Sequence, residues 1–115
     1  MHVTQLSGIA GVTLKITADD TSNSLITDGS LPPTADVGGQ TGALLTSCLI
    51  TVETYDLRFG HGITVTSSLG HLLYVSQSLV IENPASIRSF RYINAGAGEN
   101  SVIMVTPYYG MKSYR

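Results

Sequence analysis

Val12-Thr13-Leu14-Lys15-Ile16-Thr17 alternates apolar and polar side chains without a break. A period of two puts Val12, Leu14 and Ile16 on one face of an extended chain, as in a half-buried β-strand. The period recurs along the sequence, and a period of 3.6 is hard to find. Asp19-Asp20-Thr21-Ser22-Asn23-Ser24 reads as a turn, because these side chains bond to nearby backbone. After Leu25-Ile26-Thr27, the segment from Asp28 to Gly42 carries Pro32, Pro33 and several glycines and reads as irregular.

Further on, Cys48, Ile50 and Val52 share one face of a central strand. By Tyr55, Leu57 and Phe59 the apolar set has changed parity, which predicts a one-residue bulge near Glu53-Thr54. Gly60-His61-Gly62 reads as a tight turn, Ile63-Thr64-Val65 as a short strand, and His71 to Val75 as another. Leu79-Val80-Ile81 stops at Asn83-Pro84, and Ile87 to Ala95 alternates again as a strand. Ala95 to Asn100 is a hairpin-type connection. Val102 to Val105 is apolar at every position and is expected to be buried on both faces. About eight short strands, with turn signals about every 8 to 12 residues, predict an all-β fold. The expected architecture is an antiparallel, jelly-roll-like β-sandwich in one domain over residues 1–115, with an N-terminal arm at 1–11 and a C-terminal tail at 110–115.

Composition narrows the class of function. Only 12% of the residues are charged, against roughly a quarter in an average soluble domain, while 43% are apolar. Charge keeps proteins apart, so a chain this poor in it is expected to hold much of its surface against other subunits. By size scaling the folded surface is about 6,000 Å² and the extended chain's about 18,000 Å², enough burial for one core. The net charge of −2 gives no long-range attraction for nucleic acid or an anionic membrane. Ala43 to Val52, the most apolar stretch, is interrupted by Thr46 and Ser47 and is too short to span a bilayer. Met1 to Gln5 lacks the cationic start and long apolar run of a signal peptide, so the expected product is intracellular or released by lysis. The single cysteine, Cys48, has no partner for an internal disulfide.

Catalytic chemistry is not signalled, and no enzyme is expected. No serine sits in Gly-x-Ser-x-Gly, and Cys48 lies in an apolar run where a thiol is ordinary packing. His61 and His71 stand ten apart, without the spacing of a metal pair. Asp19-Asp20 is not followed by the spaced oxygen ligands of a calcium loop, and Gly96-Ala97-Gly98 lacks the third glycine and helix of a dinucleotide site. No cofactor or metal is therefore expected. Arg88-Ser89-Phe90-Arg91-Tyr92 interleaves cations and aromatics as single-strand binders do, but its aromatics share one face and Arg91 points the other way. A core face and a partner face fit that pattern better.

Leu49-Ile50-Thr51-Val52-Glu53, Leu57-Arg58-Phe59-Gly60, Gly70-His71-Leu72-Leu73 and Ile81-Glu82-Asn83-Pro84 occur in that order. Phe90-Arg91-Tyr92-Ile93-Asn94-Ala95 and Val105-Thr106-Pro107-Tyr108-Tyr109 complete the series. The series resembles small all-β virion proteins of tailed bacteriophages, of the capsid decoration or cement type. The resemblance covers roughly 60% of the chain, from Ala43 to Tyr109. It implies a structural protein on the capsid exterior, made in the host cytoplasm, that bridges capsomers as a homo-oligomer, expected to be a trimer. Its partners would be further copies of itself and the major capsid protein. A neck or tail component of the virion, or a carbohydrate-binding module using exposed tyrosines, are the alternatives. The candidate interface anchors are Phe59, Tyr74, Tyr108, Tyr109, Met111 and Tyr114. The tail from Tyr108 to Arg115, with three of the six tyrosines, is expected to contact the partner. Arg58, flanked by Leu57 and Phe59, is expected to find a carboxylate or carbonyl, with Glu53, Asp56 and Glu82 as the available acids.

Overall fold

In the computed structural model, which describes residues 8–110, the alternating run at the start of the chain forms a strand over Leu14–Ala18 (β2) with Ile16 and Ala18 facing inward. It is preceded by Ile9–Ala10 (β1) and followed by Asn23–Ser24 (β3), Thr34–Val37 (β4), Gln40–Thr54 (β5) and Leu57–His61 (β6). Next come His71–Leu73 (β7), Ser78–Ile81 (β8), the helix Pro84–Ser89 (α1), Phe90–Asn94 (β9) and Ser101–Gly110 (β10). All pairings between these strands are antiparallel.

Two sheets result. In the first, β10 and β5 lie side by side at the centre; β1 and β2 share the outer edge of β10, while β4 and β8 share that of β5. The second runs β3-β9-β6-β7. Setting aside β1, which extends the β2 edge, and β4, which makes a hairpin with β5, leaves eight strands. Numbered along the chain they run 1-8-3-6 and 2-7-4-5, which is the jelly-roll order. Between the sheets Ile50, Val52, Ile103 and Val105 meet Leu57, Phe90 and Tyr92 in one core.

The predicted bulge falls at Glu53: the register passes from Ile103↔Val52 to Val102↔Thr54, leaving Glu53 over. A second, unpredicted bulge at Thr46 moves the inward parity from Ala43 and Leu45 to Cys48, Ile50 and Val52. Cys48 is buried in this strand, and burial pushes its thiol up to about 12, which keeps it protonated and inert. Pro107 fits a central strand because of the break between β1 and β2. Its carbonyl accepts from Gly11 N at 2.7 Å in that gap, so its missing N–H removes no ladder bond there.

Several local expectations are corrected. Val12 lies outside β2 and is 79% exposed instead of sharing the inward face with Ile16. Gly60 and His61 are the last residues of β6 instead of a tight turn. The Asp28–Gly42 segment contains β4, joined to β5 through Gly38 and Gly39, whose φ of 55° and 79° suit a type I′ hairpin turn. Residues 84–89 are helical instead of opening a strand. Asn83 Oδ1 caps the helix by accepting from Ser86 N at 2.8 Å, and Pro84 occupies the first turn. Ile63-Thr64-Val65 forms no strand; Val65 is a buried plug whose N–H donates to Ser22 Oγ at 3.2 Å. Finally, β10 is not buried on both faces. Ser101, Ile103, Val105, Pro107 and Tyr109 point inward, whereas Val102, Met104, Thr106 and Tyr108 are half-buried, shielded sideways by strands on both edges.

The loop after β2 is locked to the β9–β10 hairpin. Asp20 Oδ1 accepts from the buried Asn94 Nδ2 at 2.5 Å and from Gly98 N at 2.9 Å. Those two donors hold the Asp20 carboxyl below its usual value of 3.8. Because the folded value is depressed, the carboxylate's contribution is complete above about pH 4 and is lost as pH falls through the lower, folded value. Asp20→Asn is expected to destabilise the protein at pH 7, and the gap to the parent should close in melts taken below pH 4. A gap independent of pH would remove the ionised carboxylate from this lock.

Candidate interaction surface at the β5–β6 and β7–β8 turns

Beyond the Glu53 bulge the chain leaves the first sheet for the second through Tyr55 and Asp56. Tyr55 sits at φ 54°, a left-handed conformation rare for a bulky side chain. Leaving β7, Tyr74-Val75-Ser76-Gln77 turns back to the first sheet with Ser76 at φ 73°. Backbone bonds hold this turn against β5: Ser76 N donates to Val52 O at 2.8 Å and Val52 N to Gln77 O at 3.1 Å. Gln77 Oε1 accepts from Tyr74 N at 2.8 Å, and Asp56 Oδ1 accepts from Val75 N at 2.9 Å, clasping the two turns together. Among the described residues, two of the three non-glycine residues with positive φ thus flank one surface, as strained backbone often does at functional sites.

The fastening displays apolar side chains. Tyr55 is 49%, Leu72 39%, Tyr74 52% and Val75 41% exposed. Tyr55, Leu72 and Val75 rim an open cleft of about 490 Å³ whose polar walls are Asp56, Arg58 and Glu99. Arg58 Nη1 donates to Gly70 O at 2.8 Å, and its buried Nε has no acceptor among the described residues. A Cβ on Gly70 would stand 2.8 Å from Phe59 O and 2.9 Å from Arg58 Cγ, so only glycine admits the arginine stem here. Arg58→Ala removes a charge-assisted bond that ties β6 to the turn before β7. The expected loss is about 1–2 kcal/mol, read as a lower Tm in thermal melts. An unchanged melt would make the bond dispensable.

The sequence-predicted residues scatter over the fold. Arg58 meets a carbonyl; no ion pair joins it to Glu53, Asp56 or Glu82 among the described residues. Glu53 and Glu82 are exposed, and Asp56 serves Val75 N instead. Tyr74 lies on the surface just described. Phe59 is half-buried, its ring 5.5 Å from Phe90 and 5.6 Å from His71. Tyr108 is half-buried in β10. Tyr109 belongs to the core, with its hydroxyl donating to Pro32 O at 2.8 Å, and is corrected as an interface anchor. Met111 and Tyr114 lie outside the described residues, as does most of the tail; of the arm, Ile9 and Ala10 pair with Tyr109 and Tyr108 as β1. Sequence reasoning missed Tyr55 as an exposed residue because it read the parity change as turning that ring inward. The signal available for Leu72 and Val75 was their apolar character on both parities.

Among the described residues no group of three His, Cys, Asp or Glu side chains is placed to hold a metal. His61 Nδ1 donates to Ser86 O at 3.1 Å, a structural tie between β6 and α1. No helix of the described residues is long and apolar enough to cross a membrane. Comparison with protein families, curated proteins and solved structures finds no match. The surface at Tyr55 is therefore read from its own chemistry.

Proposed function

We propose that this chain is a structural virion protein, a decoration or cement subunit of a tailed-bacteriophage head. In this reading it acts as a homo-oligomer, a trimer, seated on the major capsid protein, and it has no catalytic role. The observation that carries an assembly role is the set of Tyr55, Leu72 and Val75, large apolar side chains roughly half exposed around one cleft, with the exposed Tyr74 next to them in the same turn. In a chain with so few charges such a surface favours a partner over water. A jelly roll suits the task because its two packed sheets make a rigid platform, although the fold alone hosts many functions. The choice of a virion rests on the resemblance of the segment from Ala43 to Tyr109.

The test is mass by light scattering at micromolar concentration, alone and with empty capsids. The expected results are a particle of about three subunits and saturable capsid binding. A stable monomer of 12.2 kDa that ignores capsids would overturn the proposal.

A second reading is favoured by the same cleft. Tyr55 beside Asp56, Arg58 and Glu99 offers a ring face with acceptors and a fixed donor, the combination that a polyhydroxylated sugar would use. Retention on immobilised glycans, abolished in Glu99→Ala with the oligomer intact, would select carbohydrate binding over capsid assembly.

A further inference from the structure

Six of the 115 residues are Lys or Arg, and two of them, Arg88 and Arg91, line a single cleft. It has a volume of about 310 Å³ and is completed by Gly62, Ile63, Thr64 and Ser89, none of them acidic. Arg91 follows the buried Phe90 on β9, so its side chain leaves the core on the opposite face. Its Nη2 donates to Ser22 O at 2.9 Å, which orients the guanidinium. Its buried Nε has no acceptor among the described residues. Arg88 is exposed at the last turn of α1, and among the described residues no carboxylate pairs with either arginine.

We propose that this cleft between the Gly62–Thr64 turn and the Arg88–Arg91 stretch binds an oxyanion, the carboxylate, sulfate or phosphate group of a ligand from solution. Two arginines lining one cleft with no acid beside them place like charges at one site, where each disfavours the other. An anion between them relieves the repulsion, and guanidinium forks match the paired oxygens of these groups. The anchored Arg91 fixes one half of the site before any ligand arrives, while Arg88 is free to close on it. The Thr64 hydroxyl, which has no described partner, adds a neutral donor. Charge limits the ligand: two arginines suit one such group, and a net charge of −2 does not draw in a polyanion. The site shares no lining residue with the cleft at Tyr55 and does not depend on the assembly reading.

The experiment is thermal unfolding of the full chain in phosphate, sulfate or glutarate against chloride at matched ionic strength, for the parent and for Arg88→Ala. Arg88 is exposed, so its removal leaves the fold in place. The parent's Tm should rise by about 5 °C at ten times the dissociation constant. That rise should fall by more than half in Arg88→Ala and be partly kept in Arg88→Lys. Sulfate and phosphate also stabilise proteins by exclusion from the surface, and that component is common to parent and variants. A response to glutarate alone assigns the site to carboxylates; one to phosphate and sulfate alone assigns it to tetrahedral anions. Equal rises in the parent and Arg88→Ala, or no rise above chloride with any anion, overturn the proposal.

Discussion

Phe90→Ala is expected to cost about 3–5 kcal/mol and to lower the melting temperature by on the order of 15 °C. Phe90 is fully buried, and its ring joins three neighbours: Phe59 at 5.5 Å, His61 at 5.5 Å and Tyr92 at 6.2 Å. It also stands where α1 ends and β9 begins, with its N–H donating to Ile87 O as the helix closes. Deleting the ring leaves a cavity at the junction of helix and sheet, where paired backbone on both sides limits collapse. Phe90→Leu keeps most of the volume and should cost less than about 1.5 kcal/mol. A melt of Phe90→Ala within a few degrees of the parent would show that this end of the second sheet adds little to global stability.

Tyr55→Gly should move stability and assembly in opposite directions. A left-handed φ costs a non-glycine residue roughly 1–2 kcal/mol, and glycine removes that strain at a smaller entropic cost. The monomer should therefore melt at the same temperature or a few degrees higher. Loss of the half-exposed ring should meanwhile weaken self-association or capsid binding roughly thirtyfold, the effect of a tyrosine hot spot. Sedimentation and melting of the same preparation report both quantities. Unaltered association would move the interface elsewhere on the molecule, and a large drop in Tm would mean that the ring holds the turn together instead of displaying itself.

The strain at Tyr55 also explains why the surface was hard to foresee. Alternation is a local property: successive side chains on an extended backbone point to opposite faces whatever the partner strand is. Leu14 to Ala18, the bulge at Glu53 and the inward set Cys48, Ile50 and Val52 were legible for that reason. So was the class of fold, since short alternating runs separated by turn residues leave few other ways to bury one face of each strand. The helix at Pro84–Ser89 was legible in principle from Asn83-Pro84, but the apolar rhythm of the next strand continued back through Ile87 and hid it.

Which strand meets which is set by contacts between distant residues. Ile16 pairs with Ile103, and Asp20 reaches Asn94 and Gly98, across separations that no local pattern records. The same holds for the surface. Tyr55 and Val75 come from turns after two different strands, and they line one cleft because Asp56 clasps Val75 and the Glu53 bulge shifts the strand that delivers Tyr55. Arg58 takes the Gly70 carbonyl over the acids the sequence offered because antiparallel pairing of β6 with β7 brings that carbonyl alongside its stem. The order of residue types thus dictated strands, parity and scarcity of charge. Long-range pairing and backbone geometry at two turns dictated which side chains gather in one place, because a shift of one residue in register turns every side chain of a strand to the opposite face.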